Sequence, residues 1–308
     1  MIPFLLLYKI LQLFAVMVIG FALVKLRLIK SEDSLALSRV SLYILMPCAI
    51  INSFNISLTE DIVSGLILSF GAGIAIHLLL LVIDAIFRKT AKATAVERTS
   101  VFYSNAANLI IPIVSFVLGE EWVIYTLGFM SVQLAFLWSH GVGIFEPSEG
   151  IRLKKILLNP NILAIIFGLI ILVSGMKLPS FVTDITASFG GVLGYVGMLI
   201  AGMTAATLDF KKALANKRLY LSVIMRVVVC PLIIFALLKL SLLFINIANA
   251  EQILLISFLA TTTPAAASIM QISQLYNTEV DYAVAINILS TVVSCATIPL
   301  FVVLYQIV

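Results

Sequence analysis

Charge is what this chain has least of. Asp, Glu, Lys and Arg make up 11% of its 308 residues, with 15 acids and 19 bases. Soluble domains average about 25%. The two histidines and three cysteines are too few and too scattered for a metal centre. Cys48, Cys230 and Cys295 lie in apolar surroundings without ligand spacing, so they read as small buried hydrophobes rather than a disulfide framework. His-Glu-x-x-His, Gly-x-Ser-x-Gly and a paired intramembrane aspartate are absent too. An intramembrane enzyme therefore lacks its nucleophile, base or metal set, and no cofactor is expected. Acids also avoid the middles of the apolar runs. Asp84, Glu146 and Asp209 fall near run ends, and Glu97 opens one. That argues against a carboxylate relay for protons or sodium, although carbonyls and hydroxyls remain able to hold sodium.

What the chain has in excess is apolar length. Hydrophobic residues make up 62% of it, and mean hydropathy is +1.18. The expected class is an all-α polytopic membrane protein of the cell membrane, in contact with the lipid bilayer. At about 20 residues per span there is room for about ten helices. They read as 3–24, 33–54, 62–83, 98–118, 122–145, 160–176, 185–208, 217–240, 251–274 and 280–307. The first run is followed at once by Lys25, Arg27 and Lys30 and lacks a small-residue cleavage site, so it reads as a retained helix. Connections are short, which leaves no soluble domain. Alternate loops carry four, four, three and four of the 19 basic residues: Lys25, Arg27, Lys30 and Arg39; Arg88, Lys89, Lys92 and Arg98; Arg152, Lys154 and Lys155; Lys211, Lys212, Lys217 and Arg218. The opposite loops hold Glu60, Asp61, Glu120, Glu121, Asp184 and Glu251. The basic side is expected in the cytoplasm, with both termini outside.

Five spans precede the loop around Pro147–Lys155 and five follow it. Five is odd, so related halves would enter the membrane with opposite polarity, as an inverted repeat. Two polar interruptions occupy matching places in the fourth and ninth spans. One is Ser104-Asn105-Ala106-Ala107-Asn108-Leu109-Ile110-Ile111-Pro112. The other is Thr261-Thr262-Thr263-Pro264-Ala265-Ala266-Ala267-Ser268, with its proline 152 positions later. The span after each carries an isolated polar residue, Gln133 and Asn287. The seventh span places Gly190, Gly194, Gly197, Ala201 and Ala205 on one face. Such a face serves close helix packing or a smooth wall for a sliding bundle.

Asn105, Asn108 and Pro112 share a helix face by their i, i+3, i+7 spacing. A proline within a helix frees the carbonyl four residues earlier, here those of Asn108 and Ala260. Thr263-Pro264 reads as an N-cap and first turn of a new half-helix, whereas Ile111-Pro112 lacks a cap and can be a kink alone. If the two spans cross at their prolines, two positive half-helix ends converge at mid-membrane. Asn105, Asn108, Pro112, Gln133, Thr262, Thr263, Pro264 and Asn287 form the expected substrate site, suited to a carboxylate. The plainer reading is two kinked helices tied together by amides. Arg226, well inside the eighth span, is either a counter-charge for substrate or a side chain bonded to backbone carbonyls or snorkelling. His77 is either a titrating group or a helix-packing histidine.

Several stretches together resemble the auxin efflux carrier family, in the wider group of bile-acid, arsenite and riboflavin transporter-like proteins. They are Ser38-Arg39-Val40-Ser41-Leu42-Tyr43-Ile44-Leu45-Met46-Pro47, the run from Asn108 to Gly119, Leu158-Asn159-Pro160-Asn161, Thr263-Pro264-Ala265-Ala266 and Leu289-Ser290-Thr291. The resemblance covers essentially the whole chain. It implies ten spans in two inverted five-helix repeats, with broken, crossing fourth and ninth helices. It implies scaffold helices in 1–58 and 151–212, transport-unit helices in 59–150 and 213–308, elevator-like movement and a homodimer. Bacterial members are linked to organic acids such as malate and malonate, and plant members to auxin. Tyr195-Val196-Gly197-Met198 departs from the pattern, because many relatives carry a proline there. The long cytoplasmic loop of many plant members is missing.

The expected function is secondary transport of a small organic anion by uniport. A sodium- or proton-coupled organic-acid symporter is the alternative. A channel or receptor fits less well, since polar residues concentrate at two places and do not line a path.

Overall fold

Several helices start where the sequence supplies a cap. Thr59 accepts from the N–H of Ile62 ahead of Glu60 and Asp61, Thr94 and Glu97 form a reciprocal capping box, and Asn159 caps a helix opening on Pro160. The computed structural model describes residues 2–54, 59–146 and 157–308, and these are all-α apart from one isolated bridge. The helices are α1 (Ile2–Lys25), α2 (Ser31–Ser53), α3 (Glu60–Ala91), α4a (Ala95–Phe102), α4b (Ala106–Val117) and α5 (Glu120–Phe145). They continue as α6 (Pro160–Ser174), α7 (Ser180–Ala205), α8 (Lys217–Leu242), α9a (Ala250–Thr262), α9b (Ala267–Leu275) and α10 (Val280–Ile307). Among the described residues, α2, α3, α5, α7, α8 and α10 are long and apolar enough to cross a membrane. Leu11–Lys25, Asn108–Val117, Pro160–Ser174 and Ala250–Thr262 are shorter apolar helices. Arg152, Lys154 and Lys155 of the expected basic loop, and the expected boundaries at 58 and 150, lie outside the described residues.

Two packing sets are visible. In one, α1 lies along α7, and α2 packs on α6 and the first half of α7. Glycine permits the first contact. A Cβ on Gly202 would stand 1.9 Å from the carbonyl oxygen of Met17, and one on Gly20 would stand 2.3 Å from that of Leu199. In the other set α3 packs on α5 and α9a, and α8 packs on α9a and α10. Ion pairs tie this second set at one end. Arg98 makes a fork to Asp84 at 2.9 and 2.5 Å, joining α4a to α3. Arg218 makes another to Glu97 at 2.7 and 2.5 Å, joining α8 to α4a, and the Tyr282 hydroxyl of α10 donates to the same carboxylate. Bidentate guanidinium–carboxylate pairs fix orientation as well as distance.

Three helices carry a wide π turn: Ser41–Leu45 in α2, Leu137–Gly141 in α5 and Met225–Val229 in α8. Pro47 and Pro231 follow the first and third by two residues, where a missing N–H breaks the ordinary ladder.

Candidate functional site

The fourth and ninth helices are each broken in two, and the breaks pair with one another. Ser104 and Ala265 form an isolated antiparallel bridge. The N–H of Asn105 donates to the carbonyl of Pro264 at 2.8 Å, and the N–H of Ala266 donates to that of Tyr103 at 2.9 Å. The ninth helix stops because the residue before a proline is pushed out of the helical region. Thr263 is extended at φ −65°, ψ 154°. No proline stands at the other break. Tyr103 is extended at φ −95°, ψ 124°, and Ser104 and Asn105 follow it. Short polar side chains compete for backbone groups and weaken a helix there.

Unwound backbone inside a membrane needs partners for every polar group. The helix following each break supplies them. From α5, Gln133 accepts from the N–H and hydroxyl of Ser104 at 3.1 and 2.7 Å and donates to its carbonyl at 2.9 Å. From α10, Ser290 accepts from the N–H of Ala265 at 3.0 Å, and Asn287 donates to its carbonyl at 2.6 Å. Each unwound residue is thus held at both its N–H and its C=O by one neighbouring helix.

Two expectations need correction. The fourth helix breaks at Tyr103–Asn105, seven residues ahead of Pro112, which lies inside α4b. A proline inside a helix leaves the carbonyl four residues earlier without its partner. Here the carbonyl of Asn108 faces Gly194, which has no side chain. Thr263 is the last cap of α9a rather than the first cap of α9b, which begins at Ala267. Its hydroxyl donates to the carbonyl of Ala260, the acceptor that Pro264 leaves free, at 2.8 Å. Pro264 belongs to the extended link between the half-helices.

A cavity of about 1090 Å³ opens from the crossover between the two packing sets. Asn105, Asn108 and Gln133 line it, as do Ser104, Ser268 and Gln271. The amide of Asn108 donates to Asn105 Oδ1 at 3.0 Å, and that oxygen also faces the N–H of Ala267, first residue of α9b, at 3.5 Å. The first turns of both α4b and α9b therefore border the same space. Much of the remaining wall is apolar, with Leu42, Leu134, Leu137, Trp138 and Ile272. Arg39 is the sole charged side chain among the described lining residues. The cavity extends to Ser38 and Arg39 of α2 and to Leu158–Asn161 at the start of α6.

The other expected site residues lie elsewhere. Thr262, Thr263 and Asn287 are buried without reaching the cavity; the threonine hydroxyls bond to carbonyls of α9a, and Asn287 to the unwound link. Pro112 sits against Gly194. Sequence reasoning did not single out Ser268, Gln271 or Ser290 for the site. Ser290 carried a legible signal, three residues from Asn287 on one helix face. Arg226 proves to be bonded to backbone carbonyls, all at the breaks. His77 is buried among the rings of Phe102, Phe129 and Phe136, with Nδ1 on the carbonyl of Gly73, as a packing histidine.

Broken helices paired inside an apolar bundle, beside a cavity with amides and helix N-termini, define a membrane transport protein rather than an enzyme. The family described as "Membrane transport protein" matches residues 5–302, nearly the full length. The chain belongs to that family, the auxin efflux carriers, and is a multi-pass membrane protein that handles a small-molecule substrate. A comparison with curated proteins finds no match.

Proposed function

We propose that this protein is a secondary transporter of small organic anions, carboxylates such as malate or malonate, which bind at the crossover of the fourth and ninth helices. One observation carries the reading. The first turns of α4b and α9b, with the amides of Asn105 and Asn108, border a cavity whose described lining holds no acid. Helix N-termini attract anions, and neutral amides donate to them without requiring a buried lysine or arginine. The substrate enters from the end where Arg39 lines the mouth, the cytoplasmic end by charge bias.

The movement is elevator-like. Helices α1, α2, α6 and α7 form the scaffold, and α3, α4, α5, α8, α9 and α10 the transport unit, in two inverted five-helix repeats. The two packing sets support this division. The repeat is supported by the clamps, since in each half the helix after the break holds the unwound residue. The sliding surface is the face of Gly194 and Gly197 on α7. There a Cβ would stand 2.8 Å from Pro112 and 3.0 Å from Asn108 of α4b.

Counterflow in proteoliposomes tests the reading. Vesicles preloaded with one carboxylate are expected to accelerate uptake of a labelled one, across a panel of mono- and dicarboxylates. Trans-stimulation separates a carrier from a channel. No stimulation by any carboxylate would reject the anion assignment.

A further inference from the structure

Among the described residues, Arg226 is the one charge at the crossover that the transport reading leaves without a role. It lies in the π turn of α8 and is 1% exposed. Among the described residues its four hydrogen bonds go to main-chain carbonyls and none to a carboxylate. Nη1 donates to Val101 at 3.1 Å, Nε and Nη2 donate to Thr263 at 3.2 and 3.1 Å, and Nη2 also donates to Thr261. Val101 lies in the last turn of α4a and Thr261 in that of α9a, and Thr263 is the C-cap of α9a. The guanidinium therefore sits where two half-helix C-termini meet, against the negative ends of both dipoles. The cavity lies against the other ends, the first turns of α4b and α9b.

A buried guanidinium without a counter-ion is costly, and something must offset the lost hydration. Here the offset is three carbonyls and two helix ends. In carriers built on broken helices, such carbonyls and C-terminal ends are where a coupling sodium or proton is held. A guanidinium that fills that place leaves no vacancy for a mobile ion.

We infer that Arg226 is a resident cation, tethered to the chain in the position of a coupling ion, so that the crossover assembles and accepts an anion without sodium. It acts through the half-helices and not on the substrate, as a positioning residue. The carbonyls of Val101, Thr261 and Thr263 then form a latent cation site that is emptied by shortening the side chain. This rests on the proposed transport at the crossover only for its consequence in uptake. The latent site itself is read without substrate.

The test compares wild type with Arg226→Ala, Arg226→Met and Arg226→Lys, purified in detergent. Thermal unfolding is followed in choline, sodium and methylguanidinium chloride at equal, millimolar concentration and ionic strength. Wild type is expected to unfold at the same temperature in all three salts. Arg226→Ala unfolds lower in choline and recovers saturably in methylguanidinium, more weakly in sodium. Arg226→Met, which fills the space without charge, does not recover. Arg226→Lys lies between wild type and Arg226→Met. In proteoliposomes, uptake by wild type is equal in sodium and potassium at fixed pH and voltage, and Arg226→Ala regains part of its uptake with methylguanidinium. Stabilisation of wild type by sodium, or no recovery of Arg226→Ala in either cation, overturns the inference. If Arg226→Ala does not fold, equal stability of Arg226→Met and Arg226→Lys overturns it instead. A carboxylate panel that fails on wild type rejects the substrate reading and leaves the thermal result to decide the role of Arg226.

Discussion

The N–H of Asn105 donates to the carbonyl of Pro264 at 2.8 Å, joining two helix breaks that lie 159 positions apart in the chain. Neither residue can make this bond from a regular helix. Asn105 is free to do so because Ser104 is held by Gln133, and Pro264 because Ala265 is held by Asn287 and Ser290. Four helices thus share one polar assembly in an apolar bundle, and its outward-facing groups border the cavity.

Asn108→Ala should lose transport while the protein stays folded. Its amide makes one side-chain hydrogen bond, to Asn105, so little stability depends on it. A bond to a charged ligand contributes about 1.5–3 kcal/mol, which is roughly tenfold to a hundredfold in apparent affinity. Uptake measured over a range of substrate concentrations, with thermal unfolding alongside, checks this. An unchanged KM would remove Asn108 from the site.

Gln133→Leu should destabilise the protein as well as impair transport. It strips partners from the N–H, hydroxyl and carbonyl of Ser104, which is 1% exposed. Each buried polar group left without a partner costs about 1–3 kcal/mol. Asn287→Leu orphans the carbonyl of Ala265 and should act in the same direction. Melting temperatures decide the matter: wild-type values for both variants would mean that the clamps carry no weight.

Gly194→Leu and Gly202→Leu should fail in different ways. Gly202 meets the main chain of Met17 within the α1–α7 contact, which cannot yield, so its variant should not accumulate as folded protein. Gly194 meets the ring of Pro112 on α4b, across the proposed sliding surface. Its variant should fold and stall. Size-exclusion profiles paired with uptake distinguish the two, and normal uptake by Gly194→Leu would argue against sliding there.

Pro264→Ala should impair transport more than Pro47→Ala. Pro264 keeps Thr263 extended and so keeps the crossover open. Removing it permits α9a to continue as helix and draws the Pro264 carbonyl away from Asn105. Pro47 lies inside α2, whose helix already runs through the neighbouring π turn. Equal, mild losses of uptake would mean that the break at Thr263 is maintained by the clamps alone.

Much of the site's raw material was legible. Amides and prolines are costly in an apolar run, so Asn105, Asn108 and Pro264 marked themselves, as did Gln133 and Asn287 one helix later. Their division of labour was not. Asn105 and Asn108 face the cavity, whereas Asn287 is spent on backbone, and Gln133 serves backbone and lines the cavity as well. The same side-chain amide suits either task, and composition does not distinguish them. The position of the fourth-helix break was not legible, for a related reason. A proline is the strongest local sign of a break, yet Pro112 is absorbed where Gly194 leaves room, while Tyr103–Asn105 unwinds to meet a partner strand.

The amino-acid sequence by itself determined the membrane setting, the approximate helix runs, their charge-biased ends and the two places where regular helix could not continue. Those properties follow from hydropathy, capping and proline, which act over a few residues. Only the tertiary structure decided that the two breaks bond to each other, which amides face the cavity, and that Arg226 closes the C-terminal side. Each depends on carbonyls and N–H groups whose partners lie 22 to 163 positions away, and a local pattern carries no record of such a partner.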